Sequence, residues 1–431
     1  MTRQREEDHG AIERMIEEQF DPPLNDRFYT TYMMFYCLGT ASLLPTNFFT
    51  TATDYWMYKF RDPTNEFYTS ENRTTLQAEF VSDYSIVTHI SNIVFIVLTL
   101  IFIKKVSMVK RIVAALCGSM IMFFLTCVFV QVNTDSWQLG FFITTLVIAF
   151  ILTGLCAMFT ATLFEMVARF PPRYVIPIVS GYSVCGVFAA ALQIICLSLE
   201  ASSNTTGLTY FTIGMFFIVL TLTAFVASLL TSQFFRTNLR KEVEESMKTK
   251  VTKRAIFSLI NKLKFYLISM FIVLGCSIMI HPAVTSLVVS IEKGNGNKWN
   301  DVFFVPVITF FVYFVVDYIG RELAAVVKKP SNGIVILIVS CCRIAFVPML
   351  MLCNAQPRSH MPVVFDKDYV YIIFIVIFSF TNGYLVNLCV IQVPTVTTKE
   401  EKELSMLIIM VFMLSALGIC SLLSPAMVKA L

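Results

Sequence analysis

The sequence predicts an all-α integral membrane protein of eleven transmembrane helices in a 6+5 arrangement. Three observations carry that expectation. Of the 431 residues, 56% are hydrophobic and 14% charged, with a mean hydropathy of +0.72, whereas soluble domains are about 25% charged. The apolar residues gather into runs of about 20, the length of helix that crosses a hydrocarbon core. A single long charged stretch, FFRTNLRKEVEESMKTKVTKRAIFSLINKLK, interrupts the series after its sixth run.

The elements follow in order. Residues 1–27 open with MTRQREEDHGAIERMIEEQF, which is charged and lacks an apolar core segment, so they read as a cytoplasmic tail and not as a signal peptide. Six spans near 28–53, 83–103, 111–132, 138–167, 174–198 and 208–235 make an N-terminal bundle over 28–235. A basic loop occupies 236–262. Five further spans, near 263–291, 302–325, 333–353, 369–393 and 404–428, make a C-terminal bundle over 263–431. The twelve cysteines lie inside these runs or at the end of one, and they are expected to be small packing residues, not a disulfide framework.

Lysine and arginine set the orientation. With the N-terminus in the cytoplasm, basic residues fall about three to one on the inner side, as the positive-inside rule requires. The two glycosylation sequons, at Asn72 and Asn204, then both fall in outer loops. An odd number of spans leaves the C-terminus outside. The plasma membrane is the expected address, and a lysosomal or other organelle membrane is the alternative.

Polar residues inside the spans point to function. In FFVPVITFFVYFVVDYIGREL (303–323), Asp317 and Arg321 interrupt an apolar run. Each alone would cost about 2.5–3.5 kcal/mol at the bilayer centre. Their i, i+4 spacing, acid first, puts them on one helix face as a favourable pair. Such a pair turns toward a cavity or a neighbouring helix, never toward lipid. It either lines a substrate path or latches helices together. Pro45, Thr46 and Asn47 break up the first span, and His89, Asn92, Thr160, Glu165, Gln193, His281-Pro282, Arg343, Asn382 and Asn387 are spread over later ones. Any one of these is explained by a hydrogen bond between helices. Their spread over most spans suggests a polar lumen, as in a carrier. Gly39, Gly181 and Gly186 allow close helix approach.

Several classes are disfavoured. Four histidines, no His-Glu-x-x-His, no Gly-x-Ser-x-Gly and no phosphate loop argue against an enzyme. No cofactor, metal or nucleic-acid partner is expected; the bilayer is. Few carboxylates lie at mid-depth, so passive transport fits better than an ion-driven pump.

Several segments resemble the equilibrative nucleoside transporter family. LLPTNFFTTATDYW resembles its LLPWNFF element, RIAFVPMLMLCN its RxxFVPLLLLCN segment, FTNGYLVNLC its SNGYLxSLC element, and DYIGR its Asp-x-x-Gly-Arg. The resemblance runs from about residue 26 to the C-terminus. It implies a major-facilitator-like fold that moves nucleosides, purine or pyrimidine, down their gradient by alternating access. It implies that Asp317 and Arg321 contact the ribose or gate the cavity, and that Leu43, Asn47, Ile90, Thr160, Phe310 and Pro282 surround the substrate or its gates. Departures from the family pattern occur at Thr46, Thr160, Tyr182 and His281, positions bearing on substrate preference. His281 is a candidate outer-gate residue whose ordinary pKa near 6.5 would allow pH dependence. The rival on the same fold is a nucleobase or organic-cation (monoamine) carrier, which would want a further cavity carboxylate, for which Glu165 is the candidate. A receptor or scaffold is the reading from another class and predicts no saturable flux.

Overall fold

The computed structural model describes residues 26–63, 74–102, 105–241, 253–356, 358, 360–398 and 400–431. Asn72 and residues 242–252 of the 236–262 loop lie outside them. The described residues are helical, with extended pairing limited to two isolated bridges, Val288 with Ala355 and Cys353 with Phe365. The N-terminal elements are α1 (Thr30–Thr51), α2 (Thr53–Lys59), α3 (Thr75–Phe102), α4 (Met108–Gln131), α5 (Gln138–Val167), α6 (Val175–Ser198), α7 (Ser203–Thr231) and α8 (Gln233–Lys241). The C-terminal ones are α9 (Lys253–Ile280), α10 (Tyr313–Val327) and α11 (Gly333–Cys342), then α12 (Phe346–Met351), α13 (Asp368–Val396), α14 (Lys402–Ser421) and α15 (Ser424–Lys429).

Among the described residues, nine helices are long and apolar enough to cross a membrane. The expected spans at 28–53 and 302–325 fold as helices but are not among the nine, and their residues explain why. Helix α1 is diluted by threonines and carries Pro45. There Thr46 Oγ1 donates to the Leu43 carbonyl at 3.0 Å, and the hydroxyls of Thr50 and Thr51 donate to the carbonyls of Thr46 and Asn47. These bonds satisfy main-chain groups in the turns around the proline. The 302–325 run changes register, from a π-helical segment at Val305–Val312 to α10, which holds Asp317, Arg321 and Glu322. Polar content that would be costly against lipid is tolerated because it turns inward: Asp317 and Arg321 are buried on α10, whose other side exposes Ile319, Leu323 and Val326.

The packing has an internal repeat. Helix α1 packs on α5 and α6, and α3 on α5; six expected spans later, α9 packs on α13 and α14, and α10 on α13. The seam between the halves follows the same offset. Helix α6 meets α10, the π-helical segment and α13, while α14 meets α3 and α5. Among the nine, the seam helix α6 is the most enclosed, 78% buried, whereas the apolar part of α3 is 17% buried. A peripheral helix with its apolar side outward is what a bilayer requires.

Close approach is set by glycine at two crossings. A Cβ on Gly39 would come within 2.4 Å of the Ile178 carbonyl oxygen, and one on Gly383 within 1.9 Å of the Asp317 carbonyl oxygen. The first brings α1 onto α6, as the sequence suggests. The second brings α13 onto α10 beside the charged pair. All twelve cysteines are free. Seven are buried as expected of packing residues, but Cys341 and Cys342 are exposed, because α11 turns that face outward beside Ile338 and Ile344.

Candidate functional site

The charged pair of α10 forms as its spacing predicts. Arg321 Nε donates to Asp317 Oδ2 at 2.8 Å, with side chains 7% and 3% exposed. The pair sits where three helices meet. From α6, the Ser183 hydroxyl donates to Asp317 Oδ2, and the Val179 carbonyl accepts from Arg321 Nη1 at 2.9 Å. From α13, Asn382 Nδ2 donates to Asp317 Oδ1 at 2.6 Å, and Asn387 Nδ2 to the Arg321 carbonyl at 2.6 Å. Burying a charge is tolerable only when its partners are complete, and here both carboxylate oxygens are occupied. Between the two sequence alternatives, path lining or latch, the geometry in this state is a latch, and it joins the two halves of the molecule.

A second guanidinium extends the network. Arg343, 2% exposed, donates from Nη2 to Ser277 Oγ at 2.7 Å and from Nη1 to the Phe378 carbonyl and Thr381 Oγ1, both at 2.6 Å. Its guanidinium also lies over the Phe378 ring, 4.1 Å from the centroid. Ser277 in turn donates to Asn382 Oδ1 at 2.6 Å. A continuous buried chain therefore runs Arg343–Ser277–Asn382–Asp317–Arg321.

Aromatic groups stand beside it. The His281 ring stacks on Tyr313 with centroids 3.7 Å apart and planes 11° apart, and Phe310 and Phe314 lie at 5.7 and 5.9 Å. His281 and Phe310, expected on separate grounds, thus share one cluster, which also holds Tyr313, one turn before Asp317. The His281 Nδ1 is 3.0 Å from Thr285 Oγ1, and Pro282 continues the chain out of α9. Phe314 reaches across the seam to Gly186 of α6, where a Cβ would stand 2.1 Å from its ring.

Helix α1 packs against α6 within the N-terminal half. Leu43, Thr46 and Asn47 are partly accessible on a helix otherwise largely buried, and they share one side at i, i+3, i+4. Asn47 Nδ2 lies 3.2 Å from Cys185 Sγ, tying this face to α6. Thr160 is 2% exposed, within α5. Ile90 stands apart from the cluster. It is 51% exposed on α3 in a row with Ile86, Ile93 and Val97, while its neighbour His89 turns in toward Ser421 of α14. Asn204 lies in the first turn of α7, its side-chain oxygen buried without a partner.

Glu165 is already matched. Arg111 Nη2 donates to its Oε2 at 2.6 Å, the two side chains 4% and 6% exposed, and Arg111 Nη1 reaches Thr162. The carboxylate a cation carrier would need is therefore neutralised within the N-terminal half. Among the described residues, no three His, Cys, Asp or Glu side chains stand close enough to hold a metal ion.

The ends of the bundle differ. Near the start of α1, the Tyr36 hydroxyl donates to Glu322 of α10, Lys402 Nζ to the Phe170 carbonyl at 2.5 Å, and Arg169 pairs with Glu403 at 3.5 Å. Each of these joins one half to the other. At the far end, Lys298 pairs with Glu200 at 2.7 Å, both 75% exposed. That contact holds the Glu200 carboxyl below its usual range and raises the Lys298 ammonium. Sequence reasoning missed Ser183, Tyr36 and Glu322. Ser183 looks like any small packing residue. Glu322 follows Arg321 directly, so only the next helix reveals which way it points.

A family model described as nucleoside transporter matches residues 146–255 and 231–428. Over 416 residues the chain is 25% identical to equilibrative nucleoside transporter 3 of Rattus norvegicus, covering 90% of this chain and 86% of that one. It is 26% identical to equilibrative nucleoside transporter 1 of Homo sapiens over 88% and 92% of the two. Among solved structures it resembles the major facilitator proton:xylose symporter XylE (TM-score 0.62, 12% identity, 93% and 89% covered). It also resembles the major facilitator transporter FucP in its outward conformation (TM-score 0.58, 12% identity, 92% and 90% covered).

Proposed function

The chain belongs to the nucleoside transporter family, and on that premise we propose that it carries nucleosides across a membrane passively, by alternating access between its two halves. One observation carries the mechanism: the polar groups of α10 are matched by groups of α6 across the seam. Ser183 offers Asp317 a hydroxyl donor, and Val179 offers Arg321 an oxygen acceptor. A ribose offers the same pair of functions. When α6 withdraws, a sugar hydroxyl takes the place of the Ser183 hydroxyl on Asp317, and a sugar oxygen takes the place of the Val179 carbonyl on Arg321. The charged pair then keeps its hydrogen-bond complement in both states. The cost of exposing it is met by substrate, which couples recognition to movement.

Phe310, with His281 and Tyr313 behind it, offers aromatic faces to the base of either a purine or a pyrimidine. Leu43, Thr46 and Asn47 form the wall facing it, Pro282 shapes the outer gate, and Thr160 belongs to the surrounding shell, whereas Ile90 faces outward on α3 and is set aside as a substrate contact. The contacts of Tyr36, Lys402 and Arg169 close the end we assign to the cytoplasm, so this state is shut inside and lightly held outside. Eleven crossings, in halves of six and five over 28–235 and 263–431, are supported by the offset-of-six packing. The first and eighth of these crossings, α1 and α10, turn their polar side chains away from lipid. Basic-residue bias supports a cytoplasmic N-terminus and an external C-terminus, with Asn72 and Asn204 as outer glycosylation sites; the plasma membrane is the address we assign by default.

Uptake of labelled uridine and adenosine into proteoliposomes, with and without a sodium or proton gradient, tests the proposal. Saturable uptake independent of either gradient is expected, abolished by Asp317→Ala in protein that still reaches the membrane. Uptake that requires a gradient rules out the passive mechanism. The occupation of Glu165 by Arg111 weighs against the organic-cation reading, which predicts uptake of monoamines in preference to nucleosides.

A further inference from the structure

A cavity of about 300 Å³ lies beside the outer end of α6, away from the Asp317 cluster. That is the lower edge of the size range of ligand pockets. Its wall includes Thr51 at the end of α1, Gln193 and Cys196 of α6, Glu200 beyond it, and Thr206 and Tyr210 of α7. Two lines of side chains lead to it from the site already described. On α6, Gln193 follows Gly186, the residue against Phe314, by seven positions. That puts it on the same side, two turns or about 10 Å further out. On α1, Thr51 follows Asn47 by one turn and hydrogen-bonds its carbonyl.

Gln193 is the unusual member. Its side-chain oxygen Oε1 is buried with no hydrogen-bond partner, a state that costs free energy wherever nothing compensates. A glutamine amide presents an acceptor and a donor side by side in one plane, and half a turn about its last torsion exchanges them. That is the complement of a nucleobase edge with adjacent donor and acceptor, the way Gln reads the N6 and N7 edge of adenine in nucleic acids. Lys298, reaching from the other half to Glu200 at the rim, spans the seam at the mouth of the cavity.

We infer that this cavity is a second, outer recognition subsite, in which the Gln193 amide hydrogen-bonds the base edge of an arriving nucleoside before the sugar reaches Asp317. The inference rests on the nucleoside-carrier reading and adds to it a residue that selects bases bearing a free N–H donor.

The test is a cycle of variant against analogue on the full chain. Uptake KM is measured for adenosine and N6,N6-dimethyladenosine, and for uridine and 3-methyluridine, in wild type and in Gln193→Met, a replacement of similar volume. Methylation removes the donor from the base edge. Gln193→Met is expected to raise KM for adenosine and uridine about three- to tenfold, with Vmax unchanged. It is expected to leave the methylated analogues as they were. If Gln193→Met does not reach the membrane, Gln193→Leu, which likewise has neither donor nor acceptor, is put through the same cycle, and the same pattern is expected. KM values unchanged by the substitution, or raised equally for parent and methylated compounds, overturn the subsite and leave nucleoside transport standing. Failure of wild type to take up any nucleoside overturns both.

Discussion

Asn382 of α13 donates from Nδ2 to Oδ1 of Asp317 on α10 at 2.6 Å, and its own oxygen faces Ser277 and Arg343. Arg343 has donors only, so it fixes which end of the amide meets the carboxylate. Asp317 is thereby oriented from a helix it does not belong to, by a guanidinium it does not touch. Asn382→Ala removes a hydrogen bond to a charged group, and the nucleoside KM should rise roughly tenfold or more. Arg343→Gln should shift KM in the same direction, with Arg343→Lys recovering part of the loss. Uptake normalised to surface-labelled protein measures both, and a KM equal to wild type in Asn382→Ala would remove the relay.

The pair itself separates stability from transport. Arg321→Met leaves Asp317 buried without its counter-charge, an imbalance worth about 3–5 kcal/mol, and the single variant should be poorly expressed. Asp317→Leu combined with Arg321→Met removes both charges, so thermal unfolding of purified protein should recover toward wild type. Uptake should stay absent. Recovered uptake in the double variant would reduce the pair to a structural latch.

Tyr36 and Glu322 tie α1 to α10 at the end assigned to the cytoplasm. Tyr36→Phe removes the donor with little change of shape. Loss of a hydrogen bond to a carboxylate shifts a two-state equilibrium by about tenfold. A cysteine introduced at Thr46 should then react several-fold faster with an impermeant thiol reagent applied from the cytoplasmic side. An unchanged rate would mean that this contact does not hold the gate.

Glu401, just before α14, accepts from Lys262 Nζ at 2.7 Å and from the Thr398 amide at 3.0 Å. The Lys262 hydrogen bond, then that of Thr398, holds its carboxyl below the usual range. A lowered acid stabilises the fold above its unfolded pKa of about 4.3, and that contribution disappears as pH falls through the lowered value. The pair is solvent-exposed enough that Glu401→Gln should cost under about 1 kcal/mol at pH 7. The gap between variant and wild type in thermal unfolding should close toward pH 3. A gap that widens on acidification would contradict the assignment.

Several features were legible in the residues alone because their physics is local. Transfer of apolar side chains to lipid marks the helices. The i, i+4 spacing makes Asp317 and Arg321 a pair whatever surrounds them. The family motifs placed that pair in a carrier. The partners were not legible. Ser183 meets Asp317 across 134 residues, Asn382 across 65, and Arg343 meets Ser277 across 66. Composition could mark Glu165 as a spare carboxylate, but only folding brings Arg111 to neutralise it. Local sequence determines which stretches become helices and which side chains share a face. Which face meets which neighbour depends on crossings such as Gly383 against the Asp317 backbone, where the absence of a side chain on one helix sets the approach of the other. That is a property of two surfaces together, so only the tertiary structure decided it.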